Sequence, residues 1–293
     1  MKNRNPALKT LLLLPLLATL VSCSTATVSD ASDPNASDSN AATADTEQAS
    51  NAAAPLNDED FATVLTTYVD DQGMVDYEAL QGDRQALDAY NAGLAGVTPE
   101  TYASWSEAEQ IAFWVNAYNS LTLKSIIDQD PIKASIKDIV GVWRIRKHEI
   151  LSDAKTLDNI EHQTLRVDFD EPRIHAALVC AAMSCPKLRQ EPFVGDRLDE
   201  QLDDQSRQFI NSDLGLQIDR DAGVVYLSAI FQWFGEDWIP SYGVEEGFAG
   251  NENERAVLNF VSEYVSEEDA RYLEAGDYEV QYLDYDWSLN QQS

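Results

Sequence analysis

The chain has 293 residues, 44% of them hydrophobic, and its 20 basic against 51 acidic side chains give a formal net charge of −31. So acidic a surface repels phosphate backbones, which excludes nucleic acid as a partner. The apolar content supports one substantial core.

The N-terminus reads MKNRNPALKTLLLLPLLATLVSC, with Lys2, Arg4 and Lys9 ahead of an apolar run from Leu11 to Val21. That run is short for a spanning helix and reads as a secretory signal over residues 1–22. Leu20-Val21-Ser22-Cys23 resembles a bacterial lipobox. The resemblance implies cleavage before Cys23, a lipidated cysteine and a membrane contact made through that lipid. Ser24 in place of an aspartate implies sorting to the outer membrane, facing the periplasm or the cell surface. Residues 23–55 are almost entirely Ala, Ser, Thr, Asp and Asn, too poor in apolar side chains to fold, and are expected to be a disordered tether. Residues 56–293 are left as a single globular domain.

The domain opens with Phe61, Val64, Leu65 and Tyr68 at helical spacing behind Asn57 or Asp58 as cap. A second amphipathic helix spans Tyr77 to Ala95, broken near Gly82. The next segment, SEAEQIAFWVNAYNSLTLKSIIDQDP, carries a capping box in Ser106 and Glu109 and ends before Pro131. It is apolar on most sides and is expected at the centre of the core. Val142 to Leu151 alternates like a strand, Ser152 to Lys155 reads as a turn, and Thr156 caps a short helix through Val167. Leu198 to Ile210 is helical and stops at Asn211. Leu214–Ile218 and Val224–Leu227 form a hairpin. SAIFQWFGEDWI and Asn253–Val265 are further helices, and Tyr278–Leu289 offers a last strand. The expected class is α+β, a mainly helical domain with a small antiparallel sheet.

Three groups of residues carry chemistry. Asn116 and Asn119 share one face of the central helix, where asparagine competes for backbone hydrogen bonds and needs partners. They either pin a loop or face a ligand. His162 shares a helical face with Asp158 and Arg166, whereas Glu161 is expected to point about 100° away. This is either a salt-bridged surface helix or an imidazole set beside a carboxylate for proton transfer. The stretch RIHAALVCAAMSCPKL holds Arg173, His175, Cys180 and Cys185. With Cys23 taken by lipid, an oxidising compartment makes a Cys180–Cys185 disulfide the default. A thiol nucleophile served by His162 or His148, a zinc site of His162, His175, Cys180 and Cys185, and two inert buried thiols remain open alternatives. No cofactor or resident metal is expected.

The segments FWVNAYNSLTL, LDNIEHQTLR and EPRIHAALVCAAMSCPKL, in this order, resemble the bacterial branch of the domain of unknown function 547 family, over roughly residues 58–264. The resemblance places the motif positions of that family on Asn116, Tyr118, Asn119, Glu161, His162, Arg166, Arg173, His175, Ser184, Cys185 and Pro186. Glu171-Pro172 stands where that family usually has Asp-Pro. The family brings no agreed activity. If the three groups converge, they make a polar pocket in which Glu161, His162, His175 and Cys185 are candidate catalytic groups. Asn116, Tyr118, Asn119, Arg166 and Arg173 are then candidate ligand contacts. The expected function is a lipid-anchored envelope protein of hydrolase or acyl transferase type. The competing reading is a non-catalytic module that offers Trp233, Phe234, Trp238 and the tail aromatics to a protein or glycan.

Overall fold

The computed structural model describes residues 56–293, so the expected signal peptide, the expected lipidation at Cys23 and the expected tether lie outside the described residues. Four helices open the fold: α1 (Asp58–Tyr68), α2 (Tyr77–Gly82), α3 (Gln85–Gly96) and α4 (Pro99–Ala103). Asn57 caps α1 by accepting the Glu59 N–H at 3.2 Å. The break after Gly82 falls where the sequence places it, with the Asp83 N–H closing on Ala79 O.

The central helix α5 (Glu107–Ile127) begins at the expected capping box, in which Ser106 and Glu109 satisfy each other's backbone N–H groups. It buries residues on nearly every side, from Ile111 to Ile127. A helix apolar all round can be stable only inside, and α5 is the axis of the larger of two hydrophobic cores.

After α5 the strand expected over Val142–Leu151 is mostly absent. The Ile145 and Arg146 N–H groups both donate to Gly141 O, and Gly141 sits at φ +70°. That tight turn draws residues 141–146 out of extended conformation. Only β1 (His148–Ile150) is a strand, paired antiparallel with β2 (Asp153–Lys155). Leu151 and Ser152 both have positive φ and form the two-residue hairpin turn between them. Of the expected turn at Ser152–Lys155, only Ser152 is turn, and the other three residues form β2.

Thr156 does cap the next helix, through a reciprocal pair with Asn159 at 3.1 Å each way. That helix is a π-helix over Asn159–Leu165, running into α6 (Arg166–Asp168). α7 (Ile174–Ala177) is a single turn, and α8 (Leu198–Ile210) has the expected bounds. A second sheet joins β3 (Leu216–Asp219), β4 (Val224–Leu227) and β5 (Glu279–Tyr282), antiparallel at the hairpin and parallel between β4 and β5. The parallel pair needs a long crossover, which α9 (Ala229–Phe234), α10 (Ile239–Tyr242), α11 (Glu252–Ser262) and α12 (Glu267–Ala275) provide. Their apolar faces, with α8 and β4, make the second core around Phe231, Trp238 and Phe260. The whole is mainly helical α+β, as the sequence indicates. Among the described residues no helix is long and apolar enough to cross a membrane.

Candidate functional site

The two cores meet at the segment 173–185, and α5 fixes that segment in place. Asn119 Nδ2 donates to Ala177 O at 2.9 Å, and its Oδ1 accepts the Val179 N–H at 2.9 Å. Asn116 clasps Phe193 in the same two-point manner, at 2.8 and 2.9 Å. Both amides spend a donor and an acceptor on backbone, and both are buried. Of the two readings open for them, the structure has loop pinning.

A cavity of about 630 Å³ opens at this junction. Tyr118, Glu161, His162, His175, Cys180 and Cys185 all line it, so the structure gathers most of the sequence-derived candidates in one place. Glu161 does not point away from His162. Both side chains reach the same cavity wall from a π-helix, and such turns recur at functional sites. Much of the remaining wall is aromatic. Trp233 stacks on Trp287 at 5.8 Å between ring centroids, and Tyr285 packs on Trp287 at 4.6 Å. Trp143 meets Trp287 edge-on. At the mouth, Val140 is 85% and Ile145 72% exposed, both large apolar side chains left in water. Asp158 and Arg144 close the polar side, 3.0 Å apart.

Behind the cavity lies a charge network. Arg166 donates Nε and Nη2 to the two carboxylate oxygens of Asp237, the Nη2 bond being 2.8 Å, and reaches Glu236 at 3.1 Å. His175 Nε2 donates to Asp237 Oδ2 at 2.7 Å. Burial alone would raise the Asp237 carboxyl. The hydrogen bonds from His175 and Arg166 outweigh that and hold it at about 2. Arg166 Nη1 lies 3.0 Å from His162 Nδ1. A guanidinium only donates, so His162 Nδ1 accepts, and a neutral ring carries its proton on Nε2. Phe234 is stacked against His175 at 4.3 Å and His162 at 5.9 Å, with Arg166 over its ring at 5.0 Å. Arg166 therefore orients the histidines and does not itself line the cavity. Arg173 is turned elsewhere, bound to Glu171 at 2.7 and 2.8 Å and to Asp199 at 2.8 Å. His148, the third histidine, is off the cavity, and burial lowers its pKa.

Tyr118 is buried, and burial together with the facing Glu161 carboxylate pushes its hydroxyl well above the usual tyrosine range. It stays protonated and donates towards Glu161. Tyr285 is raised for the same two reasons. Its hydroxyl lies 3.2 Å from Cys180 Sγ and 3.1 Å from Cys185 Sγ.

Cys180 and Cys185 are joined in a disulfide, the default reading of the sequence. In this form Cys185 has no thiol, so the nucleophile expected there is not present as such. Among the described residues no group of three or more His, Cys, Asp or Glu side chains is placed to hold a metal ion.

Sequence reasoning missed Asp237 and Trp143; it named Tyr285 and Trp287 only among the tail aromatics offered to a partner, not as wall of the same cavity as the Glu161-His162 pair. Asp237 had a signal: Glu236-Asp237 interrupts the aromatic run FQWFGEDWI, and a carboxylate inside such a run needs a buried partner.

No curated protein and no solved structure matches the chain. A family match exists, and it spans α4 to α8, the stretch that supplies Asn116, Tyr118, Asn119, the Glu161-His162 pair, Arg166 and both cysteines. It is narrower than the residues 58–264 over which the resemblance runs. By it, residues 102–210 belong to the family described as protein of unknown function, DUF547.

Proposed function

We propose that this is a hydrolase or acyl transferase of the bacterial cell envelope, held to the outer membrane by lipid on Cys23. Its cavity accepts a ligand with an apolar or aromatic part and a carbonyl group. One observation carries the reading: Glu161 and His162 lie side by side on the wall of an open cavity, with the His162 tautomer set by Arg166. In that arrangement Glu161 is the general base that takes a proton from water or an acceptor alcohol. The His162 Nε2–H is the donor to the developing oxyanion. Tyr118 orients the Glu161 carboxylate, and Asp237 with Arg166 keeps both imidazoles in register.

The test uses the mature chain with p-nitrophenyl benzoate and p-nitrophenyl acyl esters. Glu161→Gln is expected to lower kcat about 10²- to 10⁴-fold with Tm unchanged. Equal rates for wild type and variant would remove the catalytic assignment. The second reading, a binding module, is favoured by the aromatic wall and the exposed Val140 and Ile145 at the mouth. On that reading Trp233→Ala weakens binding of an aromatic ligand or glycan, and Glu161→Gln leaves it intact.

A further inference from the structure

The disulfide forms part of the cavity wall, a place a ligand can reach. Cys180 is partly exposed, and Cys185 is buried beneath it at 5% exposure. The donors around them are unequal. Cys185 Sγ faces two, the Cys180 N–H at 3.0 Å and the Tyr285 hydroxyl at 3.1 Å. Cys180 Sγ faces only the Tyr285 hydroxyl, at 3.2 Å. A negative charge formed on Cys185 would find two hydrogen bonds already in place, whereas one formed on Cys180 would find one. Access and charge stabilisation agree: attack at Cys180, departure at Cys185.

The loop between them does not rely on the bond for its shape. Asn290 N–H donates to Ala181 O, Met183 N–H to Ser288 O, and Ser184 N–H to Asp286 O. Val179, just upstream, is held by Asn119. Ala181, a residue with a Cβ, is kept at φ +60°, a left-handed conformation that persists only where the surroundings impose it. A bridge across five residues of an already clamped loop adds little as a staple.

We propose that Cys180–Cys185 is a redox-active cystine that accepts two electrons from a dithiol bound against the aromatic wall. One thiolate of the dithiol attacks Cys180 Sγ. The S–S bond breaks and its electron pair leaves on Cys185 Sγ, where Tyr285 and the Cys180 N–H receive it. The second thiol of the same molecule then attacks its own sulfur in the mixed disulfide, and Cys180 leaves as a thiolate. Both cysteines take up the protons that the dithiol released. The ligand is oxidised to a cyclic disulfide and the protein is reduced to a dithiol. This goes beyond the acid–base reading of the cavity, and its readout counts thiols, not hydrolysis.

The mature chain in native buffer is treated with 1,2-benzenedimethanethiol or with dithiothreitol, and thiols are counted by mass after alkylation. Two thiols per chain are expected, at least tenfold faster with the aromatic dithiol, with the far-ultraviolet circular dichroism unchanged. Tyr285→Phe is expected to slow this native reduction about tenfold and leave the rate in denaturant unaltered, a distinction that a packing role would not produce. Cys185→Ser, with its single free thiol, is expected to form a mixed disulfide with oxidised glutathione at Cys180. Reduction that begins only once denaturant is added would show a sealed structural bridge and overturn the proposal. So would equal rates for the two dithiols, or for Tyr285→Phe and wild type.

Discussion

Asn119→Ala is expected to cost about 4 kcal/mol of stability and to lower Tm by roughly 10 °C, since two buried backbone groups lose their partners at about 1–3 kcal/mol each. The groups are the Ala177 carbonyl and the Val179 N–H. Neither has a helix or sheet neighbour to fall back on: α7 ends at Ala177, and the chain leaves it extended. The cost is asymmetric by design of the amide. Asn119→Asp keeps an acceptor for Val179 but sets a carboxylate against Ala177 O, and is expected to be no better than alanine at neutral pH. Asn119→Gln retains both functions on a longer arm and is expected to lose about half as much. Urea denaturation at pH 7 checks the order. A loss below about 1 kcal/mol for Asn119→Ala would mean that water replaces the amide, and that the segment 173–185 is held by other contacts. Because that segment carries His175, Cys180 and Cys185 into the cavity, its loosening is also expected to weaken whatever the cavity binds.

That amide shows what the sequence yields and where it stops. Two asparagines mid-helix demand partners, and this much is legible, because the reasoning is local: the helix period, the side-chain length, the missing propensity. Which backbone they clasp is not legible, since Phe193 and Ala177 stand 77 and 58 residues away along the chain. The same division runs through the fold. The Ser106–Glu109 capping box, the bounds of α8 and the β3–β4 hairpin follow from residues within one turn of each other, and each stands where the sequence puts it. α12 went unread, although Ser266 and Asp269 carry the same capping signal. The strand over Val142–Leu151 fails for the opposite reason: alternation is a weaker determinant than Gly141, whose positive φ turns the chain. In the cavity, the Glu161-His162 pair is visible as a motif, but the π-helix that carries it is not, because nothing local announces a π-turn. Asp237 and Tyr285 are separated from their partners by 62 and 100 residues, and only packing brings them in.

Asp237 is the residue on which the second large effect rests. Asp237→Asn is expected to cost about 3 kcal/mol at pH 7, because it leaves the Arg166 guanidinium and the His175 N–H, both largely buried, without their shared carboxylate. Glu236 offers Arg166 only a partial replacement, being largely exposed, and offers His175 nothing in this structure. The pH dependence separates this loss from mere packing. The folded carboxyl is held at about 2 against an ordinary value of 3.8. A carboxyl depressed on folding contributes stability that is complete above the unfolded value and fades as pH falls through about 4 towards about 2. That contribution is on the order of 2 kcal/mol, about 1 kcal/mol of which should be gone by pH 3. The gap between wild type and Asp237→Asn is therefore expected to narrow as the pH is lowered from 7 to 3 in urea titrations. A gap that stays constant over that range would mean the charge of Asp237 is not what the network uses. The same substitution also separates structure from chemistry at the cavity. With an amide in place of the Asp237 carboxylate, one acceptor oxygen must serve His175 Nε2–H and Arg166, which share two in the wild type, and the amide NH2 faces a donor. Arg166 is then freed to shift from His162 Nδ1, so the proton on His162 is no longer confined to Nε2. An esterase activity resting on that donor should fall further than the stability loss accounts for, even where the folded protein is fully populated. An aromatic ligand that merely stacks on Trp233 and Trp287, and takes no hydrogen bond from the imidazoles, should bind to the folded variant as it binds to wild type.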